Sequence, residues 1–179
     1  MLALHPKIQE EVFQELKEVF SDDWKRAVTP DDVEKLQRLD RAIKETMRLF
    51  PPVFHMFREV PQEVKLSTCT LPAGCVVSTM AYFVHRDPRY FPDPERFDPD
   101  RFLPEKSYGR HHYSYIPFGA GQRSHIGYEF AEMQMITTLA TVLRKYRVLP
   151  AVTYDSLQQL EISTVARPSC GYKLKMLPR

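Results

Sequence analysis

A histidine and an arginine stand two residues apart in a glycine-rich stretch, and these residue types could hold an anionic ligand that contains a metal. The stretch reads FGAGQRSHIG from 118 to 127, with His125 as the potential metal ligand and Arg123 as the cation. A guanidinium can meet a carboxylate with two parallel, charge-assisted hydrogen bonds. Gly119 and Gly121 permit backbone angles and close approaches that a side chain would forbid. The stretch therefore predicts a loop that holds a ligand close to its own backbone.

An apolar run at helical spacing begins at the end of this loop and predicts a helix over roughly residues 126–146. The repeating positions are Ile126, Phe130, Met133, Ile136, Leu139, Ala140 and Leu143. The N-terminus of a helix carries unpaired N–H groups and a partial positive charge. We therefore expect the loop to deliver its last residues to a helix end that favours an anion or a metal-bound thiolate.

The loop resembles the haem-binding loop of the cytochrome P450 monooxygenases, whose pattern is FxxGxRxCxG. The positions that match are Phe118, Gly121, Arg123, Gly127 and, four residues further on, Ala131. The resemblance implies that haem is the cofactor and that these residues bind it together with His125. The departure from the pattern is His125 itself, which occupies the axial position where the family has the cysteine that binds iron.

This departure decides which activity the resemblance implies. The family uses a cysteine thiolate to push electron density onto iron, which favours O–O cleavage. An imidazole nitrogen is a weaker donor than a thiolate, and histidine is bulkier than cysteine. The resemblance implies an oxidoreductase that hydroxylates a hydrophobic small molecule, whereas we expect little or no turnover from this chain. Two alternatives remain open: an imidazole-ligated haem module with electron-transfer or peroxidase-like behaviour, and a non-catalytic interaction fragment.

Another arginine, Arg58, ends an apolar run that follows Pro51 and Pro52. It matches the family position whose arginine reaches one haem propionate, and Arg123 matches the partner of the other propionate. Two arginines for two carboxylates meet the electrostatic requirement of a buried, dianionic ligand edge. Without the resemblance, Arg58 would be interpreted as an ordinary charge at the end of a strand.

Glu45 and Arg48 are three residues apart on a predicted helix, so their side chains share one face. Taken alone, they would be an ordinary surface ion pair. With LFPP after it, the pair resembles the family's ETLRLxP segment, in which both side chains meet an arginine from a later FxPxRF segment. That later segment reads FDPDRF here and supplies Arg101. The resemblance implies a buried structural trio that locks the haem loop, with no catalytic role for any of the three residues.

The remaining histidines carry weaker signals. His111 and His112 are adjacent and could suggest a zinc site together with His125. Their spacing fits no tetrahedral zinc signature, and adjacent residues do not share a face of a helix or strand. We therefore interpret them as part of a solvated loop. His85 begins an HRDP segment similar to one that caps a short helix in the family, and we expect it to be structural.

Periodicity and turn residues predict the elements that must position these side chains. The expected helices cover residues 3–20, 29–50 and 126–146. The expected strands are 64–66, 75–82, 146–149, 160–162 and 172–176, with hairpin turns at 71–74 and 168–171. Prolines concentrated between 51 and 117 predict a middle segment that is irregular but ordered.

The composition bounds these interpretations. The chain has 179 residues, of which 43% are hydrophobic and 27% are charged, as is typical of one soluble globular domain. Its net charge of +2 implies no nucleic-acid partner. The three cysteines lack the spacing of a metal site and indicate buried thiols in a reducing compartment. No apolar run reaches the roughly 18 residues that a membrane span needs.

The fold class that the resemblance implies is α+β, mainly α: the C-terminal, haem-loop portion of the cytochrome P450 fold with small β-hairpins. The resemblance covers residues 1–179 as one partial domain, without the family's N-terminal anchor and oxygen-activating helix. It implies a hydrophobic small-molecule substrate, an NADPH-dependent reductase as partner and the endoplasmic reticulum membrane as location. Without an anchor, this chain alone is expected to be cytoplasmic.

Overall fold

Three helices of 13 to 18 residues form the frame that carries the 118–127 loop. The structure is a computed structural model that describes residues 1–162 and 165–179. Its helices are α1 (Pro6–Val19), α2 (Pro30–Lys35), α3 (Gln37–Leu49), α4 (Ala81–Val84), α5 (Pro104–Ser107), α6 (Tyr128–Lys145) and α7 (Tyr154–Gln158). Short 3-10 turns occur at Leu2–Leu4, Pro99–Phe102, His112–Ser114 and Gly121–Arg123. None of the described helices is both long enough and apolar enough to cross a bilayer.

The strands are short and pair two by two. They are β1 (His55–Glu59), β2 (Val64–Lys65), β3 (Thr70–Leu71), β4 (Val76–Met80), β5 (Tyr146–Pro150), β6 (Leu160–Ile162), β7 (Ala166–Pro168) and β8 (Leu174–Pro178). The antiparallel pairs are β1–β4, β2–β3, β5–β8 and β6–β7. This arrangement confirms the predicted α+β class, mainly α, with small sheets at the periphery.

The core lies where the apolar faces of α1, α3 and α6 meet. Leu16 of α1, Leu39 of α3 and Leu143 of α6 are fully buried there. Burying a leucine side chain contributes about 1.5–3 kcal/mol relative to leaving it exposed. The helical spacing of these residues in the sequence predicted the three faces, because positions three or four apart stack on one side of a helix.

The prediction of one unbroken helix over residues 29–50 is wrong, because the helix is interrupted once. Leu36 leaves the helical conformation, with ψ at 53°, and separates α2 from α3. Glu15 of α1 caps the new helix start, because its carboxylate accepts the Arg38 N–H at 2.7 Å and the Leu39 N–H at 3.0 Å. A carboxylate satisfies N–H groups that a helix start leaves unpaired. The break therefore depends on a residue 21 to 24 positions away, which local periodicity does not show.

In both predicted hairpins, the strands pair with partners other than those expected. The strand after the 71–74 turn, β4, pairs with β1 rather than with β2, and β2 pairs with the short β3. Near the C-terminus, β6 pairs with β7 and β8 pairs with β5, so the segments 160–162 and 172–176 do not form one hairpin. Alternation predicts that a strand exists but not which distant strand supplies its hydrogen bonds, which is why the partners were missed.

Candidate functional site

The 118–127 loop is closed at its base by one backbone hydrogen bond. The His125 N–H donates to the Phe118 carbonyl at 2.9 Å, so the two ends of the loop lie together. Gly119 and Gly121 have φ values of +77° and +74°, a region that side chains disfavour. A Cβ added at Gly119 would lie 3.1 Å from Met56 Sδ, so β1 packs directly on the loop backbone. The backbone conformation therefore favours glycine at 119, and a larger residue there would also press on the Met56 side chain.

His125 lies at the end of the loop, exposed, with one ring nitrogen already engaged. Its Nδ1 accepts a hydrogen bond from the Gly127 N–H at 3.0 Å. A Cβ added at Gly127 would come within 3.1 Å of His125 Cε1, so the ring lies against the glycine backbone. The centroid of the Phe118 ring lies 6.1 Å from that of the His125 ring. The loop thus presents an imidazole whose ring lies against Gly127, the residue that precedes α6.

Arg58 joins β1 to the loop. It lies opposite Val77 of β4, and its Nη2 donates to the Arg123 carbonyl at 3.4 Å. Its Nη1 donates to the Phe57 carbonyl at 2.7 Å. Both Arg58 and Arg123 are exposed, and neither forms an ion pair with a carboxylate among the described residues. The structure therefore places the Arg58 side chain against the loop backbone at Arg123.

Apolar surface flanks the loop where α6 begins. Ile126, Phe130 and Met133 are exposed, whereas residues further along the same apolar series, such as Ile136 and Leu143, are buried. The apolar series that predicted this helix is therefore buried only in the C-terminal half of the helix. The other matched position, Ala131, lies one turn into α6, where its N–H donates to the Gly127 carbonyl at 2.9 Å. The loop is bordered by uncovered apolar side chains.

The three residues predicted to form a structural trio, Glu45, Arg48 and Arg101, are in contact with one another through Glu45. Glu45 and Arg48 are completely buried. Arg48 Nε and Nη2 donate to the two carboxylate oxygens of Glu45 at 2.7 and 2.9 Å, which is the forked geometry of a strong pair. Arg48 Nη1 also donates to the His85 carbonyl at 2.9 Å, and Nη2 to the Arg96 carbonyl at 3.2 Å. The pair therefore joins α3 to the segments after α4 and before Pro99–Phe102.

Arg101 joins this pair with one nitrogen rather than with a second fork. Its Nε lies 3.4 Å from Glu45 Oε1, while its terminal nitrogens donate to the carbonyls of Pro92 and Asp93. The Asp98 N–H donates to Glu45 Oε1 at 2.8 Å and supplies the remaining close contact. Glu45 is thus held by one forked arginine, one backbone N–H and one further cation.

His85 connects the trio to the chain that enters the loop. The residue is fully buried, and its Nε2 accepts the Ile116 N–H at 2.8 Å, two residues before Phe118. Its ring packs against Tyr115 with centroids 5.1 Å apart. Sequence reasoning expected a structural histidine at the end of a short helix, and α4 does end there. It missed the bond to Ile116, for which an isolated histidine gives no local signal.

The free energy of unfolding is expected to fall by about 3 kcal/mol as the pH drops from 6.5 to 4 because of His85. Burial lowers the pKa of His85 from 6.5 to about 4, an effect that the carbonyls of Arg48 and Met47 oppose in part and the Arg48 and Arg86 charges reinforce. The unfolded chain therefore binds a proton in this range before the folded chain does. Urea unfolding at a series of pH values measures this loss of unfolding free energy. No loss is expected well above pH 6.5, the pKa of histidine in the unfolded chain.

The matched control is His85→Gln, whose amide oxygen can still accept the Ile116 N–H but does not titrate. The unfolding free energy of this variant is expected to lack the contribution of His85 to the pH dependence between pH 6.5 and 4. An unchanged slope in this variant would show that other groups cause the loss.

The other candidate features lie elsewhere. His111 and His112 are exposed with stacked rings, and His111 Nδ1 already accepts the Tyr113 N–H at 3.2 Å. No group of three or more potential metal-binding side chains occurs among residues 1–162 and 165–179. An apolar cavity of about 230 Å³ lies between Phe50, Tyr82 and the C-terminal strands, and none of the predicted site residues lines it.

Comparison with known proteins finds one family whose sequences are similar along almost the whole chain. The family profile described as Cytochrome P450 matches residues 1–176. The chain is 40% identical to Cytochrome P450 4c3 of Drosophila melanogaster over 179 residues. This alignment covers 100% of the chain and 33% of that protein. It is 42% identical over 179 residues to Cytochrome P450 4V2 of Mus musculus, with coverage of 100% and 34%. The chain spans about a third of the length of these curated relatives.

Proposed function

The chain belongs to the cytochrome P450 family, and we propose that its 118–127 loop, together with Arg58, supplies one wall of a haem cleft. We propose further that the chain does not carry out the oxygen chemistry of a haem–thiolate enzyme, because residue 125 is histidine. The family implies haem as the cofactor, and the roles of the individual residues in this chain are inferred from their contacts.

The observation that carries the proposal is the contact between Arg58 and the loop. Arg58 Nη2 donates to the Arg123 carbonyl at 3.4 Å, so the backbone that carries Arg123 lies within reach of the other arginine matched to a propionate partner. Both side chains are exposed, and neither forms an ion pair with a carboxylate in the described part of the chain. The paired carboxylates of haem would accept charge-assisted hydrogen bonds from such guanidinium groups.

The residues fit haem at its edge but not at its iron. Exposed apolar side chains such as Phe57 and Ile126 are suited to covering a porphyrin, and Gly119 and Gly121 let the backbone come close. At the axial position, however, the Nδ1 lone pair of His125 is used by the Gly127 N–H. We therefore assign no step of a reaction to the iron in this chain.

The activity that the family implies is monooxygenation of a hydrophobic small molecule. Electrons would come from an NADPH-dependent reductase at the endoplasmic reticulum membrane. We propose that this activity requires a thiolate at position 125, because the electron density that favours O–O cleavage comes from sulfur. A chain with His125 is expected to show little or no turnover, whichever further segments accompany it.

A second candidate function is a non-catalytic interaction surface. The exposed Ile126, Phe130 and Met133 favour it, since contiguous exposed apolar side chains mark interaction sites in many proteins. This candidate predicts that the chain binds no haem, so the experiment below separates the two functions.

Haem titration followed by visible absorbance tests the proposal. The chain is expected to bind haem saturably at one equivalent. Replacing Arg58 or Arg123 with glutamine is expected to weaken binding roughly tenfold each, since a hydrogen bond to a charged group contributes about 1.5–3 kcal/mol.

The control is Arg147→Gln, which removes an exposed arginine on β5, far along the chain from the loop. Its affinity for haem is expected to equal that of the unmodified chain. Absence of saturable binding, or equal affinity in the Arg58, Arg123 and Arg147 variants, would contradict the proposal and favour the interaction surface.

A further inference from the structure

The ring of His125 is placed to complete the first turn of α6. Gly127 directly precedes the helix, and its N–H donates to His125 Nδ1 at 3.0 Å. The His125 carbonyl accepts the next N–H, that of Tyr128, at 3.2 Å. One residue thus satisfies two successive N–H groups at a helix start, where such groups otherwise lack partners. A side-chain acceptor two residues before the amide that it binds is the geometry of an Asx-type cap.

The donor in this bond determines the protonation of the ring. A backbone N–H can only donate, so Nδ1 must present its lone pair to Gly127. A neutral imidazole carries its single proton on one nitrogen and its acceptor lone pair on the other. The proton of neutral His125 therefore resides on Nε2, which leaves that nitrogen no lone pair for a metal. Nδ1 has a lone pair, but only one, and the amide of Gly127 already occupies it.

We propose that His125 caps α6 and that this role excludes it from ligating iron. The consequence for iron rests on the proposed haem cleft, whereas the cap and its tautomer do not. Binding iron through Nε2 would require the proton to move to Nδ1, which would turn Nδ1 into a second donor facing the Gly127 N–H. Binding iron through Nδ1 would require the amide to leave. A neutral ring has a free lone pair on only one of its two nitrogens, so it cannot cap the helix and bind iron at the same time.

A thiolate at the same position would not face this competition. Sulfur in a thiolate carries several lone pairs, so it can accept an amide hydrogen bond and still bind a metal. The substitution of cysteine by histidine therefore changes more than donor strength. It replaces an atom that performs two functions at once with a ring that can perform only one of them.

NMR of the chain labelled with ¹⁵N-histidine tests the tautomer without haem. In the neutral form of the ring, the His125 resonances are expected to report a protonated Nε2 and an unprotonated Nδ1. The resonances are assigned by their loss in His125→Asn. A protonated Nδ1 on His125 would overturn the proposal.

Hydrogen exchange at the Gly127 amide tests the cap. His125→Ala is expected to speed exchange about fivefold, which corresponds to the ~1 kcal/mol of a typical helix cap. His125→Asn is expected to restore protection, because asparagine can accept an amide two residues on. His112→Ala, at another exposed histidine, is expected to leave exchange unchanged. Equal exchange in the His125→Ala and unmodified chains would overturn the cap.

Haem affinity then tests the consequence for iron. The unmodified chain and His125→Ala are expected to bind haem within about twofold of each other, because no iron–imidazole bond is lost. A loss of tenfold or more in His125→Ala would overturn the exclusion. If no variant binds haem, the proposed cleft fails while the tautomer and exchange results still decide the cap, so the two failures are distinguishable.

Discussion

Replacing Glu45 with alanine is expected to lower the free energy of unfolding by about 3–5 kcal/mol, the cost of breaking one partner of a buried ion pair. Glu45 and Arg48 have no exposed surface, and the forked bonds between them are 2.7 and 2.9 Å long. Without the carboxylate, the Arg48 guanidinium stays buried beside the charge of Arg101, whose Nε is 3.4 Å from Glu45 in the intact chain. Urea unfolding followed by circular dichroism measures the loss.

Two further variants separate this effect from the removal of a side chain in general. Glu34→Ala, at an exposed position on α2, is expected to change the unfolding free energy by less than about 0.5 kcal/mol. Glu45→Gln keeps the shape and one acceptor but removes the charge, and is expected to cost nearly as much as alanine. A loss below about 1 kcal/mol for both Glu45 variants would mean that the trio does not stabilise the fold.

The His125→Cys variant, loaded with haem, reduced and exposed to carbon monoxide, is expected to give the spectrum of a thiolate-ligated haem. The introduced sulfur would sit two residues before the Gly127 amide and at the start of α6, where N–H groups and the helix dipole lower the pKa of a thiol. The unmodified chain is expected to give no thiolate spectrum and no stronger binding than His125→Ala.

The matched control for this variant is His112→Cys, which places a thiol on an exposed residue outside the 118–127 loop. It is expected to leave the spectrum of the unmodified chain unchanged. A His125→Cys variant that binds haem with unchanged affinity and an unchanged spectrum would show that residue 125 does not face the iron.

The backbone conformation of the loop glycines and the shared face of Glu45 and Arg48 could be anticipated because their signals are local in the sequence. The glycines at 119 and 121 do adopt positive φ, and the spacing of Glu45 and Arg48 does place both side chains on one face of α3. These features depend on residues that are neighbours in the sequence, whereas the participation of Arg101 was predicted only from the resemblance of FDPDRF to a family segment.

The features that escaped prediction depend on contacts between distant segments. The break at Leu36 is stabilised by Glu15 from another helix, and β4 pairs with β1 across an intervening short ladder. The bond from Ile116 to His85 spans 31 residues. Helical and strand periodicity report which face is apolar, but they carry no information about which segment arrives to pack against it.

The engagement of His125 is a different case, since it is local but geometric. Gly127 is two residues away, so the sequence contains both partners of the bond. Whether Nδ1 accepts that amide depends on the rotation of the ring, which the sequence does not show. The sequence distinguishes histidine from cysteine at this position only by donor strength and size. The structure shows in addition that the Nδ1 lone pair of His125 already accepts the Gly127 N–H.

The most direct test of the account is a crystal structure of the unmodified chain with haem bound. We expect the porphyrin to lie against the 118–127 loop, with its propionates at Arg58 and Arg123. We also expect His125 Nδ1 to remain about 3.0 Å from the Gly127 nitrogen, as it is without haem. A porphyrin bound away from this loop, or a bond from either nitrogen of His125 to iron, would contradict it.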